Sequence, residues 1–259
     1  MRMEIRSRGY VIMKKRSRVA AALVCAAMLF TAAGCGKKVD IPEDAVMNYT
    51  APAEGEEIIC MEIQDYGTVK IKLFDDLMPE ACENFRTLAE QGYYDGLIFH
   101  RVIADFMIQG GDPLGNGTGG ESCWGGKFDG GVTSHLIHLP GALAYANSKG
   151  PATDGSQYYI VTGDTVTDEA LNYYEGMGYT FTDEAKQLYK QYGGTPHLDG
   201  GYSVFGQVIE GLDIIYDISY VETNDKDKPL TDVVVKSVTI EPYDGKQVQW
   251  HPADDPGQE

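Results

Sequence analysis

Apolar and polar residues alternate in short runs along most of this chain. Glu57–Ile63 and Thr68–Phe74 are strand-like runs on either side of Gln64-Asp65-Tyr66-Gly67, which predicts a β-hairpin. Further strand-like runs recur at 97–103, 106–110, 142–145, 157–162, 204–208 and 233–240, separated by Gly, Asp and Asn. Two stretches switch to helical spacing. Pro79 opens the first, with Ala81, Phe85, Leu88 and Ala89 on one face and Gly92 as its stop. Leu212, Ile215 and Ile218 mark the second, within Gly211–Ile218. Many strands, two helices and no alternating β-α rhythm predict a mainly-β barrel with helical caps. The stretch between Gly163 and His197 departs from this economy. It predicts a helix over Asp168–Gly176 and a stronger one over Thr182–Gly193. In the stronger one Thr182 is the N-cap, Asp183 and Glu184 lie in the first turn, and Ala185, Leu188, Tyr189 and Tyr192 form one stripe. Residues 164–196 thus read as an inserted helical hairpin whose stripe packs against the barrel.

The ends read differently. Met13-Lys14-Lys15-Arg16-Ser17-Arg18 is a basic n-region, and Val19–Ala33 is an apolar h-region too short for a comfortable membrane span. Ala32-Ala33-Gly34-Cys35 resembles the lipobox of bacterial lipoproteins, with Ala32 where leucine is usual. That resemblance implies a signal peptide over 1–35, lipidation at Cys35, and an extracytoplasmic protein anchored to the bacterial cell membrane. Residues 36–55, with Pro42, Pro52 and several acids, read as a flexible tether. Residues 56–242 read as the folded domain, and 243–259 as a loosely held tail.

Charge sharpens the picture. The whole chain carries 21 Lys and Arg against 39 Asp and Glu. Seven of those cations and one of those acids precede Gly36, leaving 14 basic against 38 acidic residues, a net −24. Such a body is repelled by phosphate backbones, which argues against nucleic-acid binding. With Cys35 acylated and Cys25 removed, Cys60, Cys82 and Cys123 remain, an odd number whose spacing fits no zinc pattern. They read as small apolar fillers.

The candidate chemistry sits in Leu97–Gly120, LIFHRVIADFMIQGGDPLGNGTGG. An arginine inside an apolar strand is costly to bury and needs a reason. Arg101 is followed by Phe106, Met107 and Gln109, so a guanidinium, an amide and apolar walls can share one pocket. FHRVI, FMIQGGD and GNGTGG, with Ala144-Tyr145-Ala146-Asn147, Gly155-Ser156-Gln157-Tyr158-Tyr159-Ile160 and Tyr202-Ser203-Val204-Phe205-Gly206, resemble the cyclophilin family of peptidyl-prolyl isomerases. The resemblance covers roughly Glu57–Pro242. It implies a closed antiparallel eight-stranded barrel capped by two helices, no metal or cofactor, a monomer, and proline-containing polypeptides, here exported clients, as partners.

The resemblance also assigns roles. It makes Arg101 the catalytic donor and Gln109 the amide that braces it. Phe106, Met107, Tyr159 and Leu198 become walls of the proline pocket. Ala146, Asn147 and Gln157 become a groove for the peptide backbone, with His197 and Tyr202 beside it. His197 stands where many members carry tryptophan, which implies weak cyclosporin sensitivity. Tyr202 replaces a common histidine, and Tyr159 a common phenylalanine, adding a hydroxyl that needs a partner. A non-catalytic peptide-binding module using the same groove is the competing reading, and the intact Arg101, Phe106 and Gln109 favour the enzyme. His135 and His138, three apart in a strand-like stretch, would face opposite sides with no third ligand. Gly110–Gly120 lacks the Gly-Lys-Ser/Thr ending of a phosphate loop and reads as a backbone-turn device.

Overall fold

Two apolar-rich strands build the first hairpin of the computed structural model, which describes residues 41–248 except 149, 151 and 247. The leader with Cys35, the first residues of the 36–55 stretch and the end of the 243–259 tail lie outside the described residues. β1 (Glu57–Ile63) pairs antiparallel with β2 (Gly67–Leu73), from Ile58 opposite Lys72 to Ile63 opposite Gly67. Ile59, Met61 and Ile63 meet Val69, Ile71 and Leu73 in the main core. The other face of β1 turns Ile58 and Cys60 onto Ile209 and Tyr243.

The remaining strands are β3 (Arg101–Ile103), β4 (Met107–Gly110), β5 (Ala142–Tyr145), β6 (Tyr158–Val161), β7 (Val204–Glu210) and β8 (Val235–Pro242). They join one eight-stranded sheet in the order β3-β4-β6-β5-β7-β2-β1-β8. Two helices pack on it: α1 (Pro79–Glu90), entered at proline, and α4 (Leu212–Ser219), which sits closest to β2, β3 and β4. Aromatic rings fill the space between α1 and the sheet. Phe85 stacks on Tyr94 at 4.8 Å, and Tyr145 stacks on Phe205 at 4.3 Å.

The sheet is an open half-barrel, not the closed barrel expected from the resemblance. Its edges, β3 and β8, approach at a single bridge between Ile98 and Val234, outside both strands. Flanking it, Phe99 N–H donates to Val233 C=O and Val235 N–H to Leu97 C=O. Beyond Phe99 the partner changes: Val102 N–H donates to Asp227 C=O at 2.7 Å. A three-residue strand has one outward-facing set of backbone groups, and the 221–232 loop takes it, so no ladder to β8 forms.

The insertion folds as a helical pair, α2 (Asp168–Gly176) and α3 (Asp183–Tyr192). Thr167 Oγ1 accepts from Ala170 N–H and Thr182 Oγ1 from Ala185 N–H, at 3.2 and 3.1 Å, so each helix carries a side-chain cap. Ala185 and Tyr189 bury against Ile137, Leu139, Val166 and Leu171 in a second small core. Entry and exit cross where Asp164 bridges Gly194. Gly163 there has φ +59°, and a Cβ on it would lie 2.4 Å from Gly194 Cα, so only glycine fits.

The described part of the 36–55 stretch lies against the body instead of hanging free. Met47 N–H donates to His135 C=O at 2.7 Å, and Val46 N–H to Glu184 of α3 at 3.2 Å. Asn48 is fully buried; its amide donates to Ile137 C=O and Gln207 Oε1 and accepts from Ile137 N–H. Such docking leaves no sequence periodicity because it uses backbone groups and one amide. Asn48→Ala strands three buried partners, so it is expected to lower unfolding stability by about 2 kcal/mol. A reduced urea midpoint at unchanged m-value would show it; an unchanged midpoint would mean that the segment is not clipped.

Candidate functional site

The β3–β4 hairpin explains the strand arginine. Arg101 lies opposite Gln109, Val102 opposite Ile108 and Ile103 opposite Met107. Val102 and Ile108 point into the core, and the period of two turns Arg101 and Gln109 to the other face, on which Met107 is itself buried. There the Arg101 side chain is 41% exposed, and its charge stays in contact with water. β6 brings Tyr159 opposite Gln109 on the next strand. The end of β5 adds Ala146 and Asn147, and the turn after the insertion adds Leu198 and Tyr202.

These residues meet in one groove of about 640 Å³, lined by Arg101, Phe106, Met107, Gln109, Ala146, Asn147, Tyr159, Leu198 and Tyr202. Gln157 and His197 stand behind its lining. Gln157 Oε1 accepts from Gln109 Nε2 at 2.9 Å while its own amide donates to Gly119 C=O at 2.8 Å. His197 stacks on Phe106 at 5.8 Å, between that ring and Tyr174 of α2 at 5.7 Å. The brace on the arginine also differs from the expected one. Gln109 gives its amide to Gln157, and the group beside Arg101 Nε is the Asp227 carboxylate at 3.5 Å.

The groove is also lined by His100, Gly115, Asn116 and Gly117, and by Asn224, Lys226 and Lys228. The glycine-rich segment is a turn wound around one carboxylate. Asp112, 1% exposed, accepts backbone N–H bonds from Leu114, Asn116, Gly117 and Thr118 at 2.6–3.1 Å. Burial alone would raise its pKa, but the donated N–H groups outweigh it and hold the carboxyl below the usual range. Asn224, Lys226 and Lys228 escaped sequence reading because they lie in an unpatterned loop. Their one signal was cations in an acidic body.

The extra hydroxyl of Tyr159 has its partner. It meets Nε2 of the fully buried His138 at 2.8 Å, and His138 Nδ1 meets Asp199 Oδ1 at 2.7 Å. Asp199 Oδ2 accepts from Tyr189 OH of α3 at 2.7 Å. Burial pushes both tyrosine hydroxyls well above their ordinary pKa, so they stay protonated. A polar chain thus runs from the groove floor to the insertion. His135 goes elsewhere, with Nδ1 against Ala45 C=O at 2.9 Å.

Comparison with known proteins agrees with this geometry. Residues 58–240 match the family described as cyclophilin type peptidyl-prolyl cis-trans isomerase/CLD. A Staphylococcus aureus protein named "Putative peptidyl-prolyl cis-trans isomerase" is 45% identical over 175 residues, 68% of this chain and 87% of that one. A Staphylococcus haemolyticus protein of the same name shows the same identity and coverage. Two crystal structures of a Cryptosporidium parvum cyclophilin type peptidyl-prolyl cis-trans isomerase each align at TM-score 0.58. One was determined in the presence of the dipeptide Ala-Pro. They are 30% and 31% identical, covering 72% of this chain and 98% and 99% of theirs.

The histidines around the groove set a pH dependence. Desolvation lowers the pKa of His100 and of His197; His138 lowers His197 further, while Asp199 partly opposes it. The unfolded chain therefore binds more protons than the folded one from about pH 6.5 downward. Stability contributed by the neutral rings is full above that value and is lost as pH falls through the folded pKa values. The urea midpoint is expected to drop between pH 7.5 and 5.5, and a His100→Gln/His197→Gln variant should flatten that drop. Equal slopes in the two proteins would exclude these histidines as the cause.

Proposed function

The chain belongs to the cyclophilin-type peptidyl-prolyl cis-trans isomerase family, and from that membership we propose that it isomerises X–Pro bonds of exported polypeptides, with Arg101 donating to the prolyl nitrogen. Rotation about an X–Pro bond faces a barrier of roughly 18–20 kcal/mol and takes tens to hundreds of seconds unaided. It needs neither nucleophile nor redox chemistry. It needs the proline ring held still, the amide resonance weakened and the swinging carbonyl accommodated.

The observation that carries the reading is the meeting of the Arg101 guanidinium with Phe106, Met107 and Leu198 in one groove. The apolar side chains fit a pyrrolidine ring. A hydrogen bond to the prolyl nitrogen withdraws its lone pair from the carbonyl and lowers the double-bond character of the C–N bond. Arginine suits this role because it stays charged and presents a fixed fork. Ala146 and Asn147 flank the ring site and serve the peptide backbone. The Ala-Pro dipeptide used with the Cryptosporidium parvum relative supports proline-containing peptides as the substrate class.

One well-aimed donor is worth roughly 2.7–4 kcal/mol, by analogy with oxyanion holes. Arg101→Ala is therefore expected to lower kcat/KM on a short X-Pro peptide about 10²- to 10³-fold without a fall in Tm. Wild-type turnover retained in a folded variant would remove the arginine from the mechanism.

The cellular setting rests on sequence alone: the basic stretch, the apolar Val19–Ala33 and the small residues before Cys35. We place the domain outside the cytoplasm as a monomer, held to the membrane by lipid on Cys35. Radiolabelled palmitate should enter the protein in cells and be absent from Cys35→Ala; label retained in that variant would exclude the anchor.

A further inference from the structure

The charge of the groove is opposite to the charge of the protein. Residues 36–259 carry 38 acidic against 14 basic side chains, yet among the described residues no Asp or Glu lines the groove, while Arg101, Lys226 and Lys228 do. Two nearby carboxylates pair with lining cations. Asp227 pairs with Arg101 at 3.5 Å, and Asp232 with Lys228 at 3.4 Å. Lys226, exposed and flanked in sequence by Asp225 and Asp227, forms no ion pair with any described residue. His100, the remaining titratable group of that wall, is neutral near pH 7 because burial lowers its pKa.

The loop that carries these lysines is fixed. Asn224 Oδ1 accepts from Lys226 N–H at 2.8 Å and from Lys228 N–H at 3.2 Å. Asn224 N–H donates to Lys228 C=O and Asp227 N–H to Asn224 C=O, both at 2.9 Å. Asp227 C=O then ties the loop to β3 through Val102. The loop backbone that carries the two lysines is thereby fixed, so no mobile segment has to be ordered on binding, a cost that would otherwise reduce affinity.

From this segregation we infer that the groove selects X–Pro segments carrying a carboxylate side chain close to the proline, with Lys226 and Lys228 as the specificity-determining residues. The inference deepens the isomerase reading and rests on it. The net acidic body repels such a segment while the cations lining the groove attract it, so the field steers it toward the site, and Lys226 receives the carboxylate there. Basic segments meet the reverse: attraction to the outer surface and repulsion at the groove.

The test measures kcat/KM by exchange NMR for matched peptides bearing Glu, Gln or Lys beside the Ala-Pro unit, on either side, at low and at 0.5 M salt. Exposed charge pairs are worth about 0.2–1 kcal/mol, so the Glu peptide is expected to exceed the Gln peptide by about 1.4- to 5-fold at low salt. The Lys peptide should fall below it, and the differences should shrink at high salt as charges are screened. Lys226→Glu/Lys228→Glu should reverse the order, whereas Lys236→Glu, on β8 away from the groove, should keep it. Equal rates for all three peptides, or an order unchanged in the double variant, would overturn the inference while leaving the isomerase intact. A folded wild type that accelerates none of the peptides would overturn the isomerase reading itself, and this inference with it.

Discussion

A side-chain period of two, locked in register across the β3–β4 ladder, is the constraint on which the site depends. Once Arg101 lies opposite Gln109, Val102 and Ile108 must enter the core and Arg101 and Gln109 must leave it. A slip of one residue would bury the guanidinium and expose two apolar side chains, both costly. The same core therefore stabilises the fold and selects the face on which Arg101 stands. β6 extends the arrangement by setting Tyr159 beside Gln109 in the next row.

The open edge of the sheet makes the second wall. Because β8 does not continue along β3, the 221–232 loop occupies that edge and donates Asp227 to Arg101 and two lysines to the groove. A closed ladder would have placed flat strand there. The loss of sheet hydrogen bonding at one edge is offset by the loop's own bonds to Val102 and through Asn224. The open edge and the lysines lining the groove thus share a cause.

The insertion acts on the site from beneath. Tyr189 reaches Asp199, Asp199 holds His138, and His138 holds Tyr159 at the groove floor. Every polar atom in this buried run has a partner, which fixes ring orientations that an apolar floor would leave looser. Above it, α2 packs Tyr174 on His197, and His197 on Phe106. The helical hairpin is therefore joined to both the floor and one wall of the groove.

The sequence by itself determined the local elements and the face that carries Arg101. Strand-like runs marked β1, β2 and the β3–β4 pair, Pro79 and Thr182 marked helix starts, and the FHRVI and FMIQGGD segments held residues that line the groove. These signals are short-range: they depend on neighbours one to four residues apart, where pleat, helix turn and caps act. What tertiary structure alone decided are pairings between distant positions. Whether β8 closes on β3, where Asn48 docks, which residue faces Arg101, and what the Tyr159 hydroxyl meets all depend on groups brought together from far along the chain. Asn48 meets Gln207, Arg101 meets Asp227 and His138 meets Asp199. A lone polar residue shows no period, and its partner is chosen by the geometry of the folded chain, where each buried donor must find the acceptor that lies within reach.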